Sequence, residues 1–377
     1  MLDHNHSYLR PRGLEEDRPI AQIVPEVMIL GILWCVSVVG NLLVCIVIYR
    51  SRRVQSTTNY FVMTCACADQ IFIWVVIPME CGRIIMSEWV FGDFMCRCVR
   101  FIQSVFPSVT LYILICIAID RYYTILYPLS FKVTREIAKR MIIICCLVSC
   151  LLSSFSFYFY HEIVILSVGN RSKSVCPTYV NPDNNATVAF NVSFVLLQYV
   201  IPVAMIGFIY SRLVKFIWRS SGSFLRFKRT TNNVPRTKVK MVKMLISMTM
   251  ITMVLFLPYF SIVLWVALRL PEVMNPTIFI VCLILLLFAT VAKPIMYTCF
   301  NSNFRRGCKE VFCMSNSRCY RSSTYAITTT SAFGKKNHVG IMNGNSERNS
   351  PTKAFDRSTH VDKSVWPIQG SLPTTYL

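Results

Sequence analysis

Long runs of apolar residues separated by short polar segments dominate this chain. A helix that crosses the hydrocarbon of a bilayer needs roughly 20 such residues. The runs are continuous rather than alternating, which excludes the pattern of a transmembrane β-barrel. Asp69 and Lys293 are the only charged residues within them. We therefore predict an all-α membrane protein, a seven-transmembrane helix bundle, with its spans at residues 27–49, 58–79, 101–119, 141–160, 184–211, 244–268 and 273–300.

Composition supports a membrane protein and argues against a soluble one. Hydrophobic residues make up 54% of the 377 residues and charged residues only 15%, too few to cover the surface of a soluble fold. The formal net charge of +21 would suggest nucleic acid in a soluble protein. Here it fits basic loops that face an anionic membrane leaflet, so we expect membrane lipids and no nucleic acid as partners.

The distribution of Lys and Arg predicts the orientation. The loops after the first, third and fifth spans hold three, five and ten of them, and the three loops on the other side hold fewer in total. Basic loops stay in the cytoplasm, so we predict an extracellular N-terminus, a cytoplasmic C-terminus and residence in the plasma membrane. Asn-x-Ser/Thr sequons at Asn5, Asn170 and Asn185 then lie outside and are candidate glycosylation sites. A further sequon, at Asn191, falls at or inside the outer end of the fifth span.

The segments outside the bundle differ in character. Residues 1–24 form a predicted extracellular N-terminus without the apolar core of a cleavable signal, so the first span is expected to act as a signal anchor. Residues 25–302 form the bundle. Residues 303–314 predict a short amphipathic helix, and residues 315–377 a disordered cytoplasmic tail rich in Ser and Thr.

Several short motifs occur at matching positions of successive spans. Asp120-Arg121-Tyr122 ends the third span, and the chain resembles the rhodopsin-like (class A) G-protein-coupled receptors. The resemblance rests on that motif together with Gly40-Asn41, Ala68-Asp69, Trp89 to Gly92, Cys96, Pro202, Tyr210, Pro258, Pro294 to Tyr297 and Phe304 to Arg306.

This resemblance implies an activation switch. Arg121, flanked by Asp120 and Tyr122, would pair with Asp120 at rest and swing toward Tyr210, Tyr297 and a heterotrimeric G protein when active. The other positions implied in the switch are Phe256, Pro258 and Pro294. Phe256 stands where the family usually has Trp. Lys238 stands where some relatives place an acid that pairs with the motif Arg, so that restraint is expected to be missing.

Asp69 and Lys293 form an unusual pair. Charged groups within a membrane are costly unless they are partnered. Counted from the inner ends of their helices, they lie at depths of roughly 16 and 12 Å, within reach of a lysine side chain. The family commonly uses the Asp69 position to bind sodium. We expect the Lys293 ammonium to replace that ion as an internal ion pair; the alternative is that Lys293 turns elsewhere or is neutral.

Polar residues near the outer ends indicate the ligand. Gln103 stands where amine receptors carry an aspartate, so the resemblance disfavours an amine and favours a peptide. Gln103, Glu80 and Gln198 could line an outward pocket, or they could satisfy one another. Retinal-binding relatives carry their lysine at the position that is Leu287 here, so a photopigment is not expected.

Cysteines suggest two modifications. The resemblance implies a disulfide between Cys96 and Cys176, with Cys81 and Cys98 as possible rivals. Cys308, Cys313 and Cys319 follow the last span beside basic residues, a setting that suits palmitoylation, although plain thiols are equally compatible.

Two cytoplasmic segments predict partners. The basic loop of residues 212–243 fits lipid headgroups and, through the resemblance, a G protein. Phosphorylation of the tail would create acidic docking sites for arrestin-like proteins. The terminal Thr375-Tyr376-Leu377 fits a PDZ ligand, with Thr375 and Leu377 as its recognised side chains.

No catalytic constellation is evident, so we expect neither an enzyme nor a bound cofactor or metal. Two other functions remain open. One is a constitutively active or scaffolding receptor without a diffusible ligand. The other is a transporter or channel, which would need a polar pathway and often shows repeated halves.

Overall fold

The computed structural model describes residues 19–51, 56–127, 133–166, 172–177, 185–222, 236–268 and 276–313. All of them belong to one compact unit. Ten α-helices occur in these ranges: α1 Ile20–Arg50, α2 Thr57–Met86, α3 Gly92–Leu126, α4 Arg135–Ser154, α5 Ser156–Phe159, α6 Asn185–Val195, α7 Ile201–Gly222, α8 Arg236–Ala267, α9 Pro276–Phe300 and α10 Ser302–Cys313.

Seven helical stretches are long and apolar enough to cross a membrane, which confirms the predicted seven-transmembrane bundle. The short α5 continues the fourth stretch, and α6 and α7 together form the fifth. Most of the helices extend beyond the predicted spans, because an apolar run marks only the part of a helix that lies in hydrocarbon, whereas α9 begins three residues after its predicted start. The largest difference is in α3, which begins at Gly92 and takes Arg97 and Arg100 into the helix.

α3 is the most buried of the seven stretches and α4 the least. α3 packs against α2, α4 and α7, while α1, α2, α8 and α9 complete the bundle. Large apolar side chains on the outer surface are exposed, for example Trp74, Leu151 and Phe208. Outward apolar and inward polar residues are expected of a bundle whose solvent is lipid, since polar groups there need partners within the protein.

A small hairpin covers one end of the bundle. β1 Ile163–Leu166 pairs antiparallel with β2 Ser172–Val175. The disulfide Cys96–Cys176, with an S–S distance of 1.98 Å, ties this hairpin to α3. The rival cysteines Cys81 and Cys98 are free thiols. The bridge therefore joins the two residues that the resemblance implied.

A wider helical turn, the π-segment Leu196–Val200, joins α6 to α7. The backbone N–H of Ile201 donates to the carbonyl of Leu196, five residues back. Pro202 follows at once and has no N–H to offer the carbonyl of Gln198, so a regular α-helical turn cannot be completed there. The wider turn leaves the Gln198 side chain buried in the bundle.

The last two helices meet at a tight corner. Asn301 Oδ1 accepts hydrogen bonds from the backbone N–H groups of Asn303 and Phe304, both at 3.1 Å, and so caps the start of α10. The Phe304 ring is fully buried and lies 4.9 Å from the ring of Tyr297. Arg305 and Arg306 are exposed on the other side, so α10 is amphipathic.

Candidate functional site

The inner end of α3 holds a closed set of hydrogen bonds. Arg121 donates to Asp120 Oδ2 through Nε, at 3.1 Å, and through Nη2. It also donates to the hydroxyl of Thr58 on α2. Thr58 in turn donates to Asp120 Oδ2 at 2.7 Å, and Thr57 donates to Oδ1 at 3.2 Å. The guanidinium is thus held by its neighbouring carboxylate and by a second helix.

The other residues of the expected switch bond elsewhere. The Tyr210 hydroxyl lies 3.4 Å from Oγ1 of Thr249. The Tyr297 hydroxyl donates to Asn59 on α2. Tyr122 is half-buried and packs against neighbouring tyrosine rings. Lys238 is exposed near the start of α8. The structure therefore brings Asp120 and Arg121 together but leaves the two tyrosines in separate contacts.

A buried ion pair lies at the middle of the bundle. Lys293 Nζ donates to Asp69 Oδ1 at 2.6 Å, and the two side chains are only 6% and 0% exposed. The second carboxylate oxygen, Oδ2, has no hydrogen-bond partner within the described residues. The pair lines a small cavity of about 10 Å³ together with Asn41, Cys65 and Tyr297. A buried charge is stable only when partnered, so each residue requires the other.

An aromatic contact connects this pair to α8. Lys293 Nζ lies 5.2 Å from the centroid of the Phe106 ring, a cation–π distance. Phe106 stacks on Phe72 at 4.3 Å and meets the fully buried Phe256 edge-on at 5.5 Å. The expected switch residue Phe256 is thus two contacts from the Lys293 charge.

α1 and α9 approach closely beside the ion pair. A Cβ atom added at Gly40 would lie 2.9 Å from Cγ of Pro294, so only glycine fits without a shift. Asn41 Nδ2 donates to the carbonyl of Thr290 at 3.2 Å, and the hydroxyls of Ser37 and Thr290 are 2.6 Å apart. Pro294 is therefore held against α1, while Pro258, the other proline of the expected switch, lies half-buried within α8.

A second charged cluster lies beneath the disulfide. Glu80 accepts from Arg83 Nε at 2.7 Å and from Arg100 Nη1 at 2.8 Å. Arg100 also donates to Gln103 Oε1 at 2.6 Å and to the carbonyl of Cys176 at 3.0 Å. Glu80 and Gln103 are buried, at 2% and 5% exposure. Arg100 thus brings together two of the three expected pocket residues and links them to the disulfide-bearing loop.

Gln198 belongs to a different network. Its Oε1 accepts from Ser108 at 2.6 Å, and its Nε2 lies 3.4 Å from Ser104 Oγ and 3.5 Å from Ser153 Oγ. Gln198 therefore joins the π-segment to α3 and α4. It is 1% exposed, and no hydrogen bond joins it to Glu80 or Gln103 in the part of the chain that the structure describes.

Sequence reasoning missed Arg100 and Thr58. The predicted third span begins at Phe101 and excludes Arg100, yet Arg100 follows Cys96 by four residues and precedes Gln103 by three. Those spacings place all three on one helical face, which was the available signal. Thr58 carried no signal, since a lone threonine at the start of an apolar run is ordinary.

Several expected sites fall outside the described residues. They are Asn5, Asn170, Cys319, Thr375, Leu377 and the Ser- and Thr-rich tail. Asn185 is described and is exposed at the first residue of α6, whereas Asn191 is 1% exposed. Cys308 is half-buried and packs against the hydrophobic core, and α10 ends at Cys313.

The chain matches known proteins along most of its length. The seven-transmembrane receptor (rhodopsin family) profile matches residues 40–297. The chain belongs to this family. It is 37% identical over 382 residues to the probable G-protein coupled receptor 19 of Rattus norvegicus, with 100% of this chain and 90% of the relative covered.

Two further relatives complete the comparison. The human receptor of the same name is 39% identical over 352 residues, covering 92% of this chain and 83% of that one. The neuropeptide Y receptor type 2 of Mus musculus is 27% identical over 370 residues, with 93% of both chains covered. Membership of the rhodopsin family identifies this chain as a multi-pass membrane receptor rather than an enzyme.

Proposed function

We propose that this receptor responds to an extracellular peptide and activates a heterotrimeric G protein at the plasma membrane. The observation that carries the choice of ligand is the state of Gln103. Its Oε1 accepts a hydrogen bond from Arg100, and the adjacent carboxylate of Glu80 is bound by two guanidinium groups. The ammonium of an amine ligand would find no free carboxylate at this position. A relative named for a neuropeptide supports the choice.

The proposed orientation has the N-terminus outside and the C-terminus in the cytoplasm. Basic residues concentrate at the end of the bundle that holds Arg121. The disulfide Cys96–Cys176 lies at the opposite end, where an oxidising environment would preserve it. Asn185, exposed at that same end, would then be open to glycosylation.

Activation would release Arg121. A ligand shifts a conformational equilibrium only by binding one state more tightly than the other. An agonist that favours separation of α2 from α3 at their inner ends would break the contacts of Arg121 with Thr58 and of Asp120 with Thr57 and Thr58. Asp120 would then be the remaining partner of Arg121, and the guanidinium would exchange it for Tyr210, Tyr297 and the G protein.

The pair of Asp69 and Lys293 is proposed to replace the sodium site of other family members. An ammonium 2.6 Å from Oδ1 supplies a positive charge at the carboxylate without a diffusible ion. The resting state of this receptor should therefore be insensitive to sodium.

A panel of G-protein activation assays in cells that express the receptor tests the proposal. The parent and the Arg121→Ala variant are compared at matched surface expression, first without agonist and then with fractionated peptide extracts. We expect a peptide fraction to activate at least one G protein through the parent only. Activation by biogenic amines, or equal responses of the parent and the variant, would contradict the proposal.

A ligand-independent receptor is the second candidate. Lys238 is exposed where some relatives carry an acid, so it cannot restrain Arg121 by charge. The agonist-free arm of the same panel distinguishes the two candidates. Strong basal signalling that Arg121→Ala abolishes and that no peptide fraction increases would favour the second candidate.

A further inference from the structure

The inner half of α7 presents an outward face that the bundle does not cover. An open groove of about 610 Å³ runs along it and is lined by Ser211, Val214, Lys215, Trp218 and Arg219. Their spacing of three and four residues places them on one side of the helix. Trp218 is 81% exposed, although a large aromatic ring of a soluble protein would normally be covered. This face therefore meets the membrane.

Charged and apolar side chains are separated across this face. With about 100° of rotation per residue, Arg212, Lys215 and Arg219 fall within an arc of roughly 60°. We call these three cations the basic stripe. Val214 and Trp218 lie on the opposite flank, at the same depth as Lys215 and Arg219. Phe208, at 68% exposure, lies about one turn deeper than Arg212, on the same side of the helix as the basic stripe. The arrangement offers cations at the level of lipid headgroups and an exposed aromatic ring below them at the level of acyl chains.

The helices that continue the chain on both sides of the basic stripe carry no negative charge. Residues 184–271, which include α6, α7 and α8, contain no Asp or Glu. All three cations of the stripe are exposed. Three neighbouring cations without a carboxylate are complementary to a group that carries several negative charges, and Arg and Lys both bind phosphate oxygens.

We propose that the basic stripe and its groove bind one inner-leaflet phospholipid whose headgroup carries phosphomonoester groups, as in a bisphosphorylated inositol lipid. Lys215 and Arg219 contact the phosphates. The Ser211 hydroxyl, one turn deeper, donates to the carbonyl of Phe208 at 2.8 Å and presents only its oxygen to the glycerol region. An acyl chain lies over Phe208, and Val214 and the Trp218 ring flank the headgroup at the interface. A lipid with a single headgroup charge would engage only part of the stripe and is bound more weakly.

Retention of defined lipids by the full-length receptor in nanodiscs tests this site. The parent is compared with the triple variant Arg212→Gln, Lys215→Gln, Arg219→Gln. The matched control is Lys238→Gln, Lys240→Gln, Lys243→Gln, which removes the same charge from exposed positions on α8 at the same end of the bundle. The probes are radiolabelled bisphosphorylated inositol lipid, phosphatidylserine and soluble inositol trisphosphate. An intact Cys96–Cys176 bridge and an unchanged melting temperature verify folding.

We expect the stripe variant to lose affinity for the bisphosphorylated lipid on the order of tenfold, and the control variant less than about twofold. Phosphatidylserine should bind the parent more weakly, and soluble inositol trisphosphate should not displace the lipid. Three results would each overturn the site. The two variants could lose the same affinity for the bisphosphorylated lipid, the parent could retain phosphatidylserine equally well, or soluble inositol trisphosphate could displace the lipid. Unchanged lipid retention with lost G-protein activation would assign the stripe to a protein partner instead.

Discussion

Lys293 Nζ and Asp69 Oδ1 are 2.6 Å apart, and they join α9 to α2 where both side chains are buried. Removing one member leaves the other as an unpaired buried charge, at a cost of about 3–5 kcal/mol, unless it changes protonation. We therefore expect Lys293→Asn to lower thermal stability and Asp69→Asn to do the same. The double variant should recover much of the loss, since no unpaired charge remains.

The same variants test the proposed replacement of sodium. In thermal-shift measurements, Lys293→Asn should be stabilised by sodium chloride relative to choline chloride at equal ionic strength, because an Asp69 carboxylate without its ammonium can bind the ion. The parent and the double variant should show no difference between the salts. Sodium-dependent stabilisation of the parent would refute the replacement.

Thr58 restrains Arg121 and should limit basal activity. The Thr58→Ala change removes a hydroxyl that bonds both Arg121 and Asp120. Loss of about 1 kcal/mol from the resting state alone would raise the population of the active state roughly fivefold. Agonist-free G-protein activation measures this rise. Thr64→Ala is the matched control and should leave basal activity unchanged. Among the described residues, the Thr64 hydroxyl bonds only the carbonyl of Tyr60 in its own helix.

Arg100 should be required for folding of the bundle end that carries the hairpin β1–β2 and the disulfide. Its guanidinium bonds Glu80, Gln103 and the carbonyl of Cys176, with a side chain only 2% exposed. Arg100→Ala leaves Glu80 with one of its two guanidinium partners and should greatly reduce cell-surface expression. Arg100→Lys should not restore it, because a single ammonium cannot reproduce the planar fork. Arg97→Lys, at a half-exposed ion pair with Asp93, serves as the comparison and should express normally.

Glycosylation should distinguish two neighbouring sequons. Asn185 is exposed at the start of α6, and Asn191 is buried six residues later. A glycan cannot be attached to a side chain enclosed in the bundle. Asn185→Gln should therefore remove one glycan, seen as a mobility shift that glycosidase treatment of the parent reproduces. A comparable glycan loss on Asn191→Gln would show that the Asn191 side chain becomes accessible at the outer end of α6.

Acylation should not depend on Cys308. Burial against the bundle raises the pKa of this thiol, which lowers the thiolate fraction at neutral pH and hence its reactivity. Cys308→Ala should leave incorporation of an alkyne-labelled palmitate analogue unchanged. A marked fall would mean that α10 separates from the bundle during modification.

The apolar runs predicted the seven helices because lipid imposes a length and a composition that are legible in one sequence. The same pattern could not predict where the helices end, because helical turns outside the hydrocarbon contain polar and charged residues like those of a loop. Arg100 was missed for this reason. Depth counted along two helices placed Asp69 and Lys293 within reach, but only packing could decide which way each side chain turns.

Some features depend on contacts between distant segments. The hairpin β1–β2 has no strong alternating pattern, and its position is fixed by the disulfide and by the backbone of Trp89, whose N–H donates to the carbonyl of Ser174 at 2.7 Å. The π-segment follows from Pro202, yet a proline can also kink a helix without adding a residue. Likewise, only the three-dimensional structure shows that Glu80 and Gln198 belong to two different hydrogen-bond networks.

The π-segment Leu196–Val200 places one extra residue in a turn of the fifth span. Deleting that residue would restore a continuous α-helix and rotate α6 by about 100° relative to α7. A different set of α6 side chains would then face the mouth of the bundle, while the register of α7 beside Arg121 would be unchanged. A single-residue deletion here would thus change which ligands bind at the outer end and leave the structure around Arg121 at the inner end unchanged.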